Sequence, residues 1–135
     1  MRCWGLCALA LGALCAGTVF ADGWEQPLGR EATIEVLTVD REEGGEEHWS
    51  KFWLVVLDGK PYLRLGRRGA ARIEGNVRAL FVSLRVGDRT IEGVRVVPAP
   101  EMAAAVAQAM ARKYRLDLLI RWFPHPMTVR LEREP

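Results

Sequence analysis

A two-residue turn signal, Asp58-Gly59, separates two runs of strand-forming residues and commits this stretch to a β-hairpin. The run before it, residues 50–57 (SKFWLVVL), is almost continuously apolar, which predicts a strand covered on both faces. The run after it, Tyr62 to Leu65, returns as a second strand of the hairpin, with Pro61 at its start where no ladder donor is needed. The pattern repeats around this hairpin. Residues 32–39 (ATIEVLTV) alternate and are β-branched, and residues 79–86 (ALFVSLRV) and 89–97 (RTIEGVRVV) flank a Gly87-Asp88 turn. Gly93 in the middle of the last run predicts a bulge or a close backbone approach.

One helix follows the strands. Pro98 stops the preceding strand, Pro100 suits a first helical position, and Glu101 favours the positive end of the helix. Met102, Val106, Ala109, Met110 and Lys113 or Tyr114 recur at helical spacing and predict a buried stripe. Leu116 to Arg121 reads as a second short helix or a strand, Pro124 and Pro126 interrupt the chain, and Met127 to Glu132 forms a last strand. The chain is thus mainly β with one or two helices. Short antiparallel strands with one late helix predict a small closed barrel with that helix packed outside it.

Residues 1–21 (MRCWGLCALALGALCAGTVFA) have a different character. Arg2 precedes an apolar run, and Val19 and Ala21 suit the −3 and −1 positions of signal peptidase. We expect a signal peptide over 1–21 and one domain over 22–135, exported to a periplasmic or secreted location. The apolar run is shorter than a span requires and is broken by Gly12 and Gly17, so no stable membrane span is expected after cleavage. Leu14 ahead of Cys15 fits lipoprotein processing poorly. All three cysteines (Cys3, Cys7 and Cys15) fall in the signal, so the domain is left without thiolate chemistry or disulfides.

Candidate chemistry is sparse. His48 and His125 are far apart and show no metal-ligand spacing, so no metal is expected. Ser50 and Ser83 have no base nearby in sequence, and no phosphate-loop or dinucleotide fingerprint occurs. Lys and Arg total 19 against 17 Asp and Glu, a balance that gives no support to nucleic-acid binding. The acidic stretch DREEGGEEHW (residues 40–49) reads as a solvated hairpin loop. Trp49 and Trp53 alternate onto one face of their strand, with Phe52 opposite. Their readings are core or interface packing, or stacking on a ring ligand. The segment Trp122 to Pro126 lines a pocket mouth or interface, or caps the barrel.

The one concentration of charge suited to a ligand is GRRGAARIEGNVRA (residues 66–79), read as a basic loop with one helical turn around Ala70–Glu74. Arginine forks beside Gly66 and Gly69 combine charge with close backbone approach, which favours an anionic phosphate. The other reading of Arg67 and Arg68 is ordinary solvated charge on a turn.

The segment FWLVVLDGKPYLRLGRRGAARIEGNVRALFVSLRVG resembles the split-barrel flavin-binding fold typified by pyridoxamine 5'-phosphate oxidase, and within it is similar to small offshoots near the deazaflavin-dependent nitroreductases and to uncharacterised split-barrel domains. The resemblance spans roughly Thr33 to Tyr114. It implies a homodimer with FMN or a deazaflavin coenzyme between subunits, its ring on the backbone of the second and third strands, and oxidoreductase activity. It also implies that Lys51 stands where a basic residue opens the second strand, and that Arg64 points from the third. Arg67, Arg68 and Arg72 then fall in the phosphate loop, and Asn76 at the Asn of an "N-P" motif. Val77 replaces that proline, and Gly66-Arg67-Arg68 replaces a Ser-Arg-Lys type pattern. Some members of the superfamily bind no flavin. The alternative function is therefore a non-enzymatic domain of the same fold that binds a small ligand or a protein.

Overall fold

Alternation along the first strand sets the inside of a barrel. In β1 (Thr33–Val39) the side chains of Ile34, Val36 and Thr38 are buried while their neighbours are only half-covered. β2 (Glu47–Leu57) pairs with the whole of β1, from Thr33↔Trp53 to Val39↔Glu47, and then with β3 (Lys60–Leu65) from Leu54↔Leu63 to Leu57↔Lys60. Asp58 and Gly59 both take left-handed backbone, φ 49° and 73°, the geometry a two-residue hairpin demands. β4 (Phe81–Val86) and β5 (Arg89–Pro98) form a second hairpin. The register slips between Val82 and Leu84, opposite Gly93 at φ 66°, so the expected bulge is present. β6 (Met127–Arg133) joins β3 to β5, and β4 pairs with β1. The strands close in the order β1-β2-β3-β6-β5-β4, so none of the described strands is left with a free edge.

The computed structural model describes Leu28, residues 33–40, 45–114 and 127–133. The expected export signal, the proposed Asp22 start, the segment from Leu116 to Pro126 and His125 lie outside the described residues. Among the described residues no helix is long and apolar enough to cross a membrane.

Two apolar clusters share the sheet. Inside the barrel lie Leu28, Ile34, Val36, Leu54, Leu63, Leu65, Leu84 and their neighbours. Outside it, α2 (Ala103–Lys113) follows a 3-10 turn over Pro100–Met102 and packs Val106, Ala109 and Met110 on Val55 and Tyr62. This second cluster explains the continuous apolar run of β2. Phe52, Leu54 and Val56 face in, and Trp53, Val55 and Leu57 face α2.

The barrel interior is closed at one place by α1 (Arg67–Glu74), whose Ala70 and Ile73 join the inner cluster. This helix begins three residues earlier than the sequence suggests, so Arg67 and Arg68 are helical rather than in a loop. Gly69 does not break it, because the position requires a glycine for another reason. A Cβ there would lie 2.7 Å from the ring of Phe52. Gly69→Ala gains about 1 kcal/mol of helix propensity but overpacks the site by about 1–3 kcal/mol. We expect net destabilisation of about 1 kcal/mol in urea unfolding. In a Phe52→Leu background the same change is expected to stabilise; a loss there would show that the ring contact is not the cause.

Candidate functional site

The residues singled out in the sequence fall into four places. Lys51 lies on the outer face of β2, exposed, and opposite Glu35 of β1. Arg64 alternates with the inward Leu63 and Leu65, so it shares the outer face of β3 with Tyr62. Continuing the β2–β3 register past Leu54↔Leu63 sets Arg64 across from Trp53. One outer surface thus carries Lys51, Trp53 and Arg64, and the chain leaves it at Gly66.

There α1 begins. Gly66 is extended, at φ −68° and ψ 174°, and no side chain caps the helix. The first turn contains no acidic residue, and Arg67 and Arg68 occupy its first two positions, both exposed. A helix N-terminus carries partial positive charge and unpaired N–H groups, so two cations there are each disfavoured by about 0.3–1 kcal/mol. An anion placed at this end reverses the sign of that interaction.

Arg72 is one helical turn further on and is directed elsewhere. Its Nη1 donates to Ser50 Oγ at 2.8 Å, tying α1 to β2. Asn76 is buried, and its side chain is committed to backbone. Its Oδ1 accepts from Val39 N–H at 3.0 Å, and its Nδ2 donates to the carbonyls of Ala79 and Phe81, each at 2.9 Å. It therefore fastens the end of β1 to the turn that leads into β4. Ala79 in that turn has φ 57°, left-handed for a residue with a Cβ. The turn leaves Val77, Leu80 and Phe81 exposed.

The tryptophans follow the alternation expected of them. Trp49 lies under the guanidinium of Arg85, 3.9 Å from its ring centre, and Arg85 also bonds Glu35 at 3.2 Å. Trp53 stacks on Tyr114, with centroids 4.8 Å apart and planes 9° from parallel. The Tyr114 hydroxyl donates to the Leu54 carbonyl at 2.7 Å and accepts from the Leu54 N–H at 3.2 Å. Lys113 Nζ donates to the same carbonyl at 3.0 Å. Tyr114 thus serves β2 as a strand partner would, just beyond Trp53, where the β1 pairing begins.

Tyr114 was visible in the sequence only as the end of the α2 stripe. The available signal was a phenol on a buried helical face, which needs a polar partner. Burial pushes its ionisation up from 10.0, against the opposing effect of its bond to Leu54. The unfolded chain then releases this proton at lower pH than the folded one. The stability it contributes is fully present below about pH 10 and is lost as pH rises through the folded-state value. Urea unfolding across this range is expected to show that decline, and Tyr114→Phe to reduce it; an unchanged slope in the variant would assign the decline to other groups.

Among the described residues no group of three or more His, Cys, Asp or Glu side chains could hold a metal. No protein-family model matches the chain, and no curated protein matches it. Solved structures do. The heme storage protein HutZ from Vibrio cholerae superposes with a TM-score of 0.61 at 16% identity, covering 82% of this chain and 87% of that one. A conserved hypothetical protein, Rv2991 from Mycobacterium tuberculosis, gives 0.59 at 18% identity over 82% and 78%. An F420-H2 dependent reductase, FDR-A, gives 0.54 at 14% identity over 76% and 95%. The chain has the split-barrel fold of these proteins.

Proposed function

We propose that this chain is an exported flavin- or deazaflavin-binding split barrel, and that it works as an oxidoreductase through that coenzyme. The observation that carries the reading is the start of α1. An uncapped helix N-terminus with Arg67 and Arg68 in its first turn is locally unfavourable alone and favourable around a phosphate. Such a conflict between local preference and fold is expected at functional sites.

The residues present fit a phosphate-bearing coenzyme. Arg67 and Arg68 would hold the phosphate, and Lys51 and Arg64 would flank its ring on the outer surface of β2 and β3. Arg72 and Asn76 act behind them. Arg72 fixes α1 to β2 through Ser50, and Asn76 sets the turn after α1. A bound flavin or deazaflavin would supply hydride transfer, and the chain would supply position and charge. Two copies of the chain would enclose the ring. A likeness to an F420-H2 dependent reductase supports this reading.

A second reading, a binding domain of the same fold without coenzyme, draws support from Tyr114. Its ring already covers Trp53, and its hydroxyl already satisfies Leu54.

The visible spectrum of the purified protein separates these readings. A flavin or deazaflavin band, or one that appears on titration with FMN or the deazaflavin coenzyme, supports the first. A colourless protein that takes up neither coenzyme supports the second, and a Soret band would place it with heme-binding proteins. Mass spectrometry of the exported protein is expected to find Asp22 at its N-terminus, and light scattering to find a dimer.

A further inference from the structure

We propose that Tyr114 is a built-in occupant of a ring-binding site on β2, and that a planar cyclic imide takes this site by displacing the phenol. The proposal rests on reading the outer surface of β2 as the place of the coenzyme ring, and adds to it a means of control.

Two independent features of Tyr114 define the ligand it stands in for. The first is stacking. Its ring lies nearly parallel to that of Trp53, at 4.8 Å between centroids. A flat heteroaromatic makes the same contact with more surface. The second is the hydrogen-bond pair. One oxygen serves both the N–H and the C=O of Leu54, at 3.2 Å and 2.7 Å, so both groups point to the same spot. A residue in a strand offers this donor–acceptor pair to its antiparallel partner. A cyclic imide edge, with an N–H next to a C=O, supplies the complementary pair and improves on a single hydroxyl shared between two groups. Lys113 Nζ, bonded to the same carbonyl at 3.0 Å, adds a cation beside that edge.

The Tyr114 hydroxyl remains protonated at neutral pH, so it can donate to Leu54 throughout the physiological range. A ligand must therefore compete with an intramolecular group. Its apparent affinity is reduced by the fraction of molecules in which the phenol is in place.

The test uses lumazine, a pteridinedione with a free imide edge and no phosphate, and 1,3-dimethyl-lumazine, which lacks both N–H donors beside its carbonyls. Binding is followed by fluorescence. In Tyr114→Ala, and in Tyr114→Leu, which keeps apolar cover over Trp53, lumazine is expected to bind about tenfold tighter than in the unaltered protein. 1,3-Dimethyl-lumazine is expected to gain less. Equal or weaker lumazine binding in the folded variants overturns the proposal, and so does an equal gain for the methylated probe. In the unaltered protein, saturating lumazine is expected to move the Tyr114 ring resonances as the stack on Trp53 is lost. Unmoved resonances overturn the proposal even if both variants fail to fold. Because lumazine has no phosphate, the result is separable from the coenzyme reading. FMN binding that depends on Arg67 and Arg68, with an unchanged lumazine response, removes this inference alone. A lumazine gain with no FMN binding removes the coenzyme alone.

Discussion

Replacing both Arg67 and Arg68 with alanine is expected to weaken FMN binding by about a hundredfold while leaving the protein as stable or slightly more so. Hydrogen bonds to charged groups are worth about 1.5–3 kcal/mol, and each 1.4 kcal/mol is tenfold in affinity. Two solvent-exposed forks at the lower end of that range give the stated factor. The stability change has the opposite sign for a definite reason. Arg67 and Arg68 occupy the first turn of α1, with no acidic residue beside them and no capping side chain at Gly66. Removing them takes two cations from the positive end of a helix and adds two alanines, the residue most favourable to helix. The pairing of tighter folding with weaker binding marks residues kept for a ligand. If the variants bind FMN as well as the unaltered protein, the arginines are solvated charges and the start of α1 is not the phosphate site. Raising salt is expected to weaken FMN binding in the unaltered protein more than in the double variant.

Asn76→Ala is expected to destabilise the protein by about 3 kcal/mol, read from the urea midpoint at unchanged slope. Three backbone groups lose their partner at once: Val39 N–H, Ala79 C=O and Phe81 C=O. Asn76 is 3% exposed, so water does not readily replace its side chain. The turn it holds also carries Ala79 at φ 57°, which is not the preferred conformation of alanine. Asn76→Asp keeps the acceptor for Val39 and sets a carboxylate against two carbonyls, so it is expected to be at least as damaging. The folded fraction of either variant is expected to bind FMN within about threefold of the unaltered protein, since a staple acts through stability. A large loss of FMN affinity with little loss of stability would make Asn76 a coenzyme contact instead.

Much of the fold was legible because it is written in local rules. Asp58-Gly59 requires a tight hairpin, Gly93 marks a bulge, and the continuous apolar run of β2 requires cover on both faces. The stripe from Met102 to Tyr114 is the face that provides it. The departures arise where distant partners override local preference. Glu47, His48 and Trp49 look like the end of a charged loop, yet they continue β2 because β1 offers them Val39, Thr38 and Leu37. Residues 79 and 80 look like strand, yet Ala79 is held in a left-handed turn by Asn76, and β4 starts at Phe81. Gly66 and Gly69 look like a loop, although Gly69 is there to let α1 approach Phe52.

The candidate site was legible in composition and not in geometry. The basic stretch after β3 offers Arg67 and Arg68 as candidates, and nothing local distinguishes them from Arg72, whose partner Ser50 lies on β2. Asn76 finds Val39 across 37 positions, and Tyr114 finds Leu54 across 60. A single sequence holds no record of such pairings. Their side chains had to be placed before these intramolecular partners could be seen.

Equilibrium dialysis of the purified protein against FMN and riboflavin, run side by side, bears most directly on the proposal that the start of α1 holds a coenzyme phosphate. The two ligands share the ring and differ in the phosphate. FMN is expected to bind at least about tenfold more tightly, an advantage that shrinks with salt. FMN and riboflavin binding equally well, or neither binding at all, would contradict it.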